Sequence, residues 1–250
     1  TVRTINGKQV VTGRYLNRIR IVKGNFVEVG EPDFLYLNDG SAKFEKVDWL
    51  DGNWLDEAGK PIKKEFWDLG LSVMIRDINQ DGLPDIYNCN DFQTPDRLWI
   101  NKGNGKFQLV NEMAIRHRSY FSMAVDFADI NRDGNDDFFV ADMISPKHLL
   151  EMTQIGVTNP FAKPIDESID RPIIHRNTLY VNRGDDTYME TANYSGVAAT
   201  EWTWGSTFMD VDLDGLEDLL IANGHAFDTQ DLDTIERTSK LGSLPVSQSR

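Results

Sequence analysis

Three acidic loops with one shared frame restrict this chain more than anything else in it. They run from Asp77 to Asp85, from Asp129 to Asp137 and from Asp210 to Asp218. Counted from the first aspartate, each has side-chain oxygens at positions 1, 3, 5 and 9: Asp77, Asn79, Asp81 and Asp85; Asp129, Asn131, Asp133 and Asp137; Asp210, Asp212, Asp214 and Asp218. Position 6 is glycine in all three (Gly82, Gly134, Gly215), which permits a sharp backbone turn. A hard cation such as calcium takes six to eight oxygens at about 2.3–2.6 Å, and a tight loop with an oxygen on every second residue turns several of them toward one point. About three calcium sites are therefore expected.

The flanks say what carries the loops. A small residue stands five positions before each loop (Ser72, Ala124, Gly205), an apolar one two before it (Ile75, Phe127, Phe208), and a short apolar run follows at Ile86, Phe138 and Leu219. These flanks are short and rich in β-branched and aromatic residues, so each loop is expected to join two strands. An EF-hand shares the first half of the spacing but requires a bidentate glutamate at position 12 and helices on both sides. Position 12 is Asn88, Val140 or Ile221, and none of these supplies a carboxylate.

A second unit alternates with the loops. Leu35-Tyr36-Leu37-Asn38 leads to Gly40 and Phe44, Leu98-Trp99-Ile100-Asn101 to Gly103 and Phe107, and Leu179-Tyr180-Val181-Asn182 to Gly184 and Tyr188. In each the aromatic follows the asparagine by six residues, which predicts a β-hairpin whose second strand carries an inward ring. Strand, acidic loop, strand, hairpin make a four-stranded antiparallel meander of roughly 50 residues, the blade of a β-propeller. The expected fold is all-β: a propeller segment of about three to four blades, an incomplete ring where propellers close with about four to eight. Blade parts are expected at about 9–47 (its hairpin at 31–47), 71–110, 122–190 and 203–224. Irregular insertions fall at 48–70 and 143–176, and a polar tail at 225–250 reads as a linker.

The formal charge of −14 argues against nucleic acid and anionic membrane surfaces as main partners. Much of the imbalance lies in the loops, which bound calcium would neutralise. The lone Cys89 rules out an intrachain disulfide and reads as a buried structural thiol. No apolar run reaches the 18 or so residues of a membrane helix, and no signal peptide is read; because the chain starts at Thr1, a removed signal or an upstream region stays open. Residues 1–24 are basic and without an acid, and the alternation from Arg18 to Val22 predicts a strand. Internal charge matching and a docking arm both fit it.

Together these motifs resemble the FG-GAP or VCBS repeat, the calcium-loop blade of integrin α-subunit propellers and of many large secreted bacterial proteins. Trp202-Thr203-Trp204-Gly205 before the third loop and Asn223-Gly224-His225 after it are most similar to the bacterial branch associated with ASPIC/UnbV-type proteins. The Phe-Gly and Gly-Ala-Pro signatures are absent, and the first hairpin has no acidic loop before it. The resemblance implies a further ligand in each loop, the main-chain carbonyl of position 7, here Leu83, Asn135 and Leu216. It also implies a structural calcium and a secreted, cell-surface or periplasmic setting. Asn79 and Asn131 are neutral, so the first two loops are expected to bind less tightly than the third.

Three functions stay open on the sequence. A non-catalytic module binding a protein or glycan at the cell surface is the leading one, with Trp49, Trp54, Trp67 and Phe161 of the insertions as candidate contacts or core residues. A structural subunit of a surface assembly or fibre, its ring completed by further blades or copies of itself, is the second. A polysaccharide lyase or glycosidase on a calcium propeller is the third. Against it, His117, His148, His175 and His225 stand in no ligand or triad spacing, and no nucleophile elbow, zinc-protease or phosphate-loop motif occurs. Asn193-Tyr194-Ser195 matches a glycan acceptor.

Overall fold

The computed structural model describes residues 2–13, 18–22, 25–28, 30–92, 94–154 and 172–224, together with Arg237. Regular structure in them is nearly all β, as expected. Two ribbons come first, β1 (Val2–Ile5) with β2 (Lys8–Val11) and β3 (Ile19–Val22) with β4 (Asn25–Glu28). A separate hairpin follows, β5 (Tyr36–Asn38) with β6 (Phe44–Lys46). Next come β7 (Trp54–Leu55), β8 (Gly70–Arg76), β9 (Asp85–Asn90), β10 (Arg97–Asn101) and β11 (Phe107–Leu109), one sheet in the order β7-β11-β10-β9-β8. β12 (Arg118–Ser119) precedes β13 (Ala124–Ala128), β14 (Asp137–Ala141) and β15 (Met143–Ile144), after which a short helix, α1 (His148–Gln154), intervenes. The chain continues through β16 (Ile173–Ile174), β17 (Thr178–Asn182), β18 (Tyr188–Glu190), β19 (Glu201–Met209) and β20 (Asp218–Asn223). A second sheet has the order β13-β14-β17-β18, and a third the order β15-β19-β20.

Each acidic loop joins two neighbouring strands of a sheet: β8 to β9, β13 to β14 and β19 to β20. It closes an antiparallel pair: Arg76 opposite Asp85, Ala128 opposite Asp137, and Met209 opposite Asp218. The asparagine hairpins join β10 to β11 and β17 to β18, with Asn101 opposite Phe107 and Asn182 opposite Tyr188. The sheets stack through the strands that lead into the acidic loops, β8 lying against β13 and β13 against β19.

This stacking explains why the strand after the second loop is apolar on both sides. All of β14 is buried, because it is covered on both faces. Alternation then sends Phe138 one way and Phe139 the other. Phe138 joins Tyr87, Cys89, Leu98, Phe127 and Tyr180 between the first and second sheets, and Phe139 joins Ala141, Leu179 and Phe208 between the second and third. Each such ring contributes about 1.5–3 kcal/mol by leaving water.

A third cluster covers the far face of the first sheet with Trp49, Trp54, Ile86 and Trp99. It is built from the segment read as an irregular insertion. β7 pairs in parallel with β11, and Trp54 stacks on Phe107 with ring centroids 5.0 Å apart. Trp49 and Trp54 are therefore core residues, Trp67 is half-buried, and Phe161 lies outside the described residues. Beside them Arg97 and Asp68 form a buried ion pair, with the guanidinium 3.6 Å above the Phe66 ring. The segment 143–176 likewise adds β15 to β19 and β16 to β12. One expectation fails: Phe44 does not point inward but is 64% exposed. Among the described residues its hairpin pairs with no further strand and nothing covers the ring at its tip, whereas Phe107 and Tyr188 pack against the cores.

Candidate metal sites

The three acidic loops share one geometry, down to their hydrogen bonds. The position 1 carboxylate accepts the N–H groups of positions 5 and 6: Asp77 from Asp81 and Gly82, Asp129 from Asp133 and Gly134, Asp210 from Asp214 and Gly215. The position 3 oxygen of Asn79, Asn131 or Asp212 accepts the same position 5 N–H. The position 5 carboxylate in turn accepts the N–H of position 7, from Leu83, Asn135 or Leu216. Such turns need left-handed backbone at two places. Position 4 has φ of 60–63° (Gln80, Arg132, Leu213), and the position 6 glycine has φ of 85–89°.

These bonds gather the side chains of positions 1, 3 and 5 on the inside of the loop. In the third loop, oxygens of Asp210, Asp212 and Asp218 lie within 4.8 Å of one another, a spacing that could hold a metal ion. The donor set is all oxygen, which suits a hard cation such as calcium and disfavours soft metals.

Position 9 separates the loops. Asp85 and Asp137 are fully buried. Asp85 accepts the N–H of Ile78 at 3.0 Å on one oxygen and that of Asn101 at 2.7 Å on the other. Asp137 does the same with Ile130 at 3.2 Å and Asn182 at 2.8 Å. Burial raises the Asp85 carboxyl and pushes Asp137 up to about 6, against the opposing pull of those N–H donors. Asp218 accepts from Val211 and stays exposed.

The hairpin asparagine, read from sequence only as a turn former, ties two elements together. Asn101 and Asn182 each donate their N–H to the position 9 carboxylate and their Nδ2–H to the carbonyl of position 8 (Pro84, Asp136). Each also accepts the glycine N–H of its own turn through Oδ1. Neighbouring loops are joined as well. Arg76 pairs with Asp136, and the Gln80 side chain donates to the Gly134 carbonyl. Arg132 reaches the third loop, its guanidinium 3.8 Å from where a side chain on Gly215 would begin.

The rest of the polar chemistry lies away from the loops. Asp96 is buried and accepts from the Asn90 N–H, the Tyr87 hydroxyl and the Ser122 hydroxyl, yet burial outweighs these and pushes it up to about 6. Asp142, buried, accepts from Ser119 and from the N–H groups of Tyr120 and Phe121, with His175 Nε2 at 3.2 Å. His117 is used through its carbonyl, which accepts the Tyr180 hydroxyl; His148 is exposed, and His225 lies outside the described residues. A cavity of about 280 Å³ opens between the first two sheets. Its floor includes Ile78 and Leu98, and its rim Asn79, Gln108, Asn182 and Tyr188.

Residues 77–140, which span the first two loops and the hairpin between them, match the FG-GAP-like repeat family. No curated protein matches the chain. No helix among the described residues is long and apolar enough to cross a membrane.

Proposed function

We propose that this chain is a calcium-stabilised β-propeller segment that serves as a non-catalytic interaction module outside the cell. The observation that carries the reading is the threefold recurrence of one loop geometry with oxygen donors at positions 1, 3, 5 and 9. Calcium is held by Asp77, Asn79, Asp81 and Asp85, by their counterparts Asp129 to Asp137, and by Asp210 to Asp218, with the carbonyls of Leu83, Asn135 and Leu216. It pins the turn between the first two strands of each blade. The finer resemblance to the ASPIC/UnbV-associated branch rests on Trp202, Trp204 and the Asn223-Gly224-His225 run alone.

Recognition falls to the cleft between the first two sheets. Amide and phenol groups on its rim over an apolar floor suit a glycan or a polar loop of a protein at the cell surface. At about 280 Å³ it sits just below the usual range of about 300–1,000 Å³ for drug-sized ligands, so it takes one or two sugar rings or a single side-chain group.

Thermal unfolding in excess calcium and in chelator tests the metal. A site filled at a hundredfold over its dissociation constant adds about 2.7 kcal/mol, three such sites about 8. At about 2–4 °C per kcal/mol the midpoint should rise by about 15–30 °C. Replacing Asp77, Asp129 and Asp210 together by asparagine should abolish the rise. A midpoint that ignores calcium in the unaltered chain would remove the metal from the reading.

A further inference from the structure

The cleft between the first two sheets is lined by charge as well as by amides. Its carboxylates come from different walls, Glu57 from the segment that flanks the first sheet and Asp186 from the β17/β18 turn of the second. Glu57 is held in place, its Oε2 accepting the N–H of Glu112 at 3.2 Å and its carbonyl the Gln108 amide at 3.2 Å. Asp186 stands at a φ of 62°, left-handed backbone that aspartate and asparagine tolerate. Among the described residues that line the cleft, the one cation is Lys102, exposed on the β10/β11 turn.

The ground behind the lining is acidic too. Burial, and after it the carboxylates of Asp186, Asp85, Asp136 and Asp137, push the Tyr188 phenol above its usual range. Calcium in the loops would not reverse the sign. The first loop brings the carboxylates of Asp77, Asp81 and Asp85 and the second those of Asp129, Asp133 and Asp137, so a divalent ion in each leaves one negative charge uncancelled, while Asp136 is already matched by Arg76. A neutral sugar gains nothing from such a field, whereas a guanidinium or an ammonium is drawn into it.

We propose that the cleft takes one basic side chain, arginine or lysine, from a protein partner. This deepens the interaction-module reading and rests on it. The methylene stem lies along Ile78, Leu98 and Val110, and the carboxylates of Glu57 and Asp186 draw the charged head to the rim. A volume of about 280 Å³ suits one such side chain laid across the floor.

Titrating N-acetyl-arginine amide, N-acetyl-citrulline amide and methyl glucoside into the unaltered chain in excess calcium, read on the methyl signals of Ile78, Ile100, Val110 and Ala114, tests the occupant. Citrulline keeps arginine's shape without its charge. The arginine amide should move those signals and bind about tenfold tighter than the citrulline amide, the difference expected of charge-assisted contacts. Glu57→Gln with Asp186→Asn should remove most of that preference. Glutamine keeps an acceptor for the Glu112 N–H and asparagine tolerates the left-handed turn, so the cleft stays built. Lys102→Gln takes away the competing cation and should tighten arginine binding by about twofold to threefold.

Equal binding of arginine and citrulline overturns the basic side chain, as does a preference that survives the double replacement. Methyl glucoside moving the signals where arginine does not would assign the cleft to a glycan, and silence from all three probes would leave it without the proposed occupant. If the thermal midpoint still rises with calcium in any of these cases, the propeller reading stands and only the occupant falls; a midpoint that ignores calcium puts the fault in the reading beneath it.

Discussion

Asp137 and Asp218 hold the same place in their loops and stand in opposite surroundings. Asp137 satisfies two backbone N–H groups, and Asp137→Ala leaves the one from Asn182 without an acceptor inside the protein. With a cost of about 1–3 kcal/mol for a buried donor stranded, Asp137→Ala should lose about 1–3 kcal/mol in urea unfolding in the presence of chelator. Asp218→Ala under the same conditions should lose less than about 1 kcal/mol, since its single bond is exposed. Asp96 offers a pH test away from the loops. Its folded value of about 6 lies above the ordinary 3.8, so the folded chain binds more protons than the unfolded chain between those limits. Stability therefore falls as pH rises from about 4 to 6, by at most about 1.4 kcal/mol for each pH unit crossed. Asp96→Asn should flatten that part of the profile relative to the unaltered chain. The loop acids were legible in the sequence because their period and glycine are local; Asp96 was not, because Tyr87, Asn90 and Ser122 give it meaning only after folding.

At the level of elements, the asparagine hairpin and the acidic loop are one mechanical piece. Asn182 links them by an N–H to Asp137 and an Nδ2–H to the Asp136 carbonyl, and its Oδ1 holds the turn through Gly184. The side chain supplies two of these three bonds, so Asn182→Ala should cost about 1–2 kcal/mol by denaturant unfolding and lower the calcium affinity of the second loop in titration. Both elements and their order could be read from the sequence but not this joint, since spacing does not reveal which backbone groups meet. β7 was hidden for a related reason. It is two residues long, and Gly52, Gly59 and Pro61 around it carry the signals of a loop. The inward ring expected at Phe44 failed because an inside requires a neighbouring sheet, which no property of the hairpin itself supplies.

For the molecule as a whole, Cys89 reports on opening. It lies between the first two sheets, fully buried, and burial together with the nearby Asp96 pushes its thiol well above the usual range. A thiol reagent should leave the native chain unlabelled and react only on unfolding, with calcium slowing the labelling in proportion to the stability it adds. The all-β architecture and its repeat could be read from the sequence, because three copies of each motif recur in fixed order. Which strands meet in the stack, β8 with β13 and β13 with β19, could not, since it depends on which faces the sheets present to one another.

The fourth residue of each of the first two loops leans on the next loop along the rim, Gln80 on Gly134 and Arg132 beside Gly215. Such a row behaves as a linear lattice in which each unit senses only its immediate neighbours. A disturbance of the turn at Asp77 would loosen the Gly134 turn first and reach Gly215 only through the turn between them, weakened at each step. Damage to the middle loop would do more than its own share, because it cuts the row into two parts and interrupts the contacts that run along the rim.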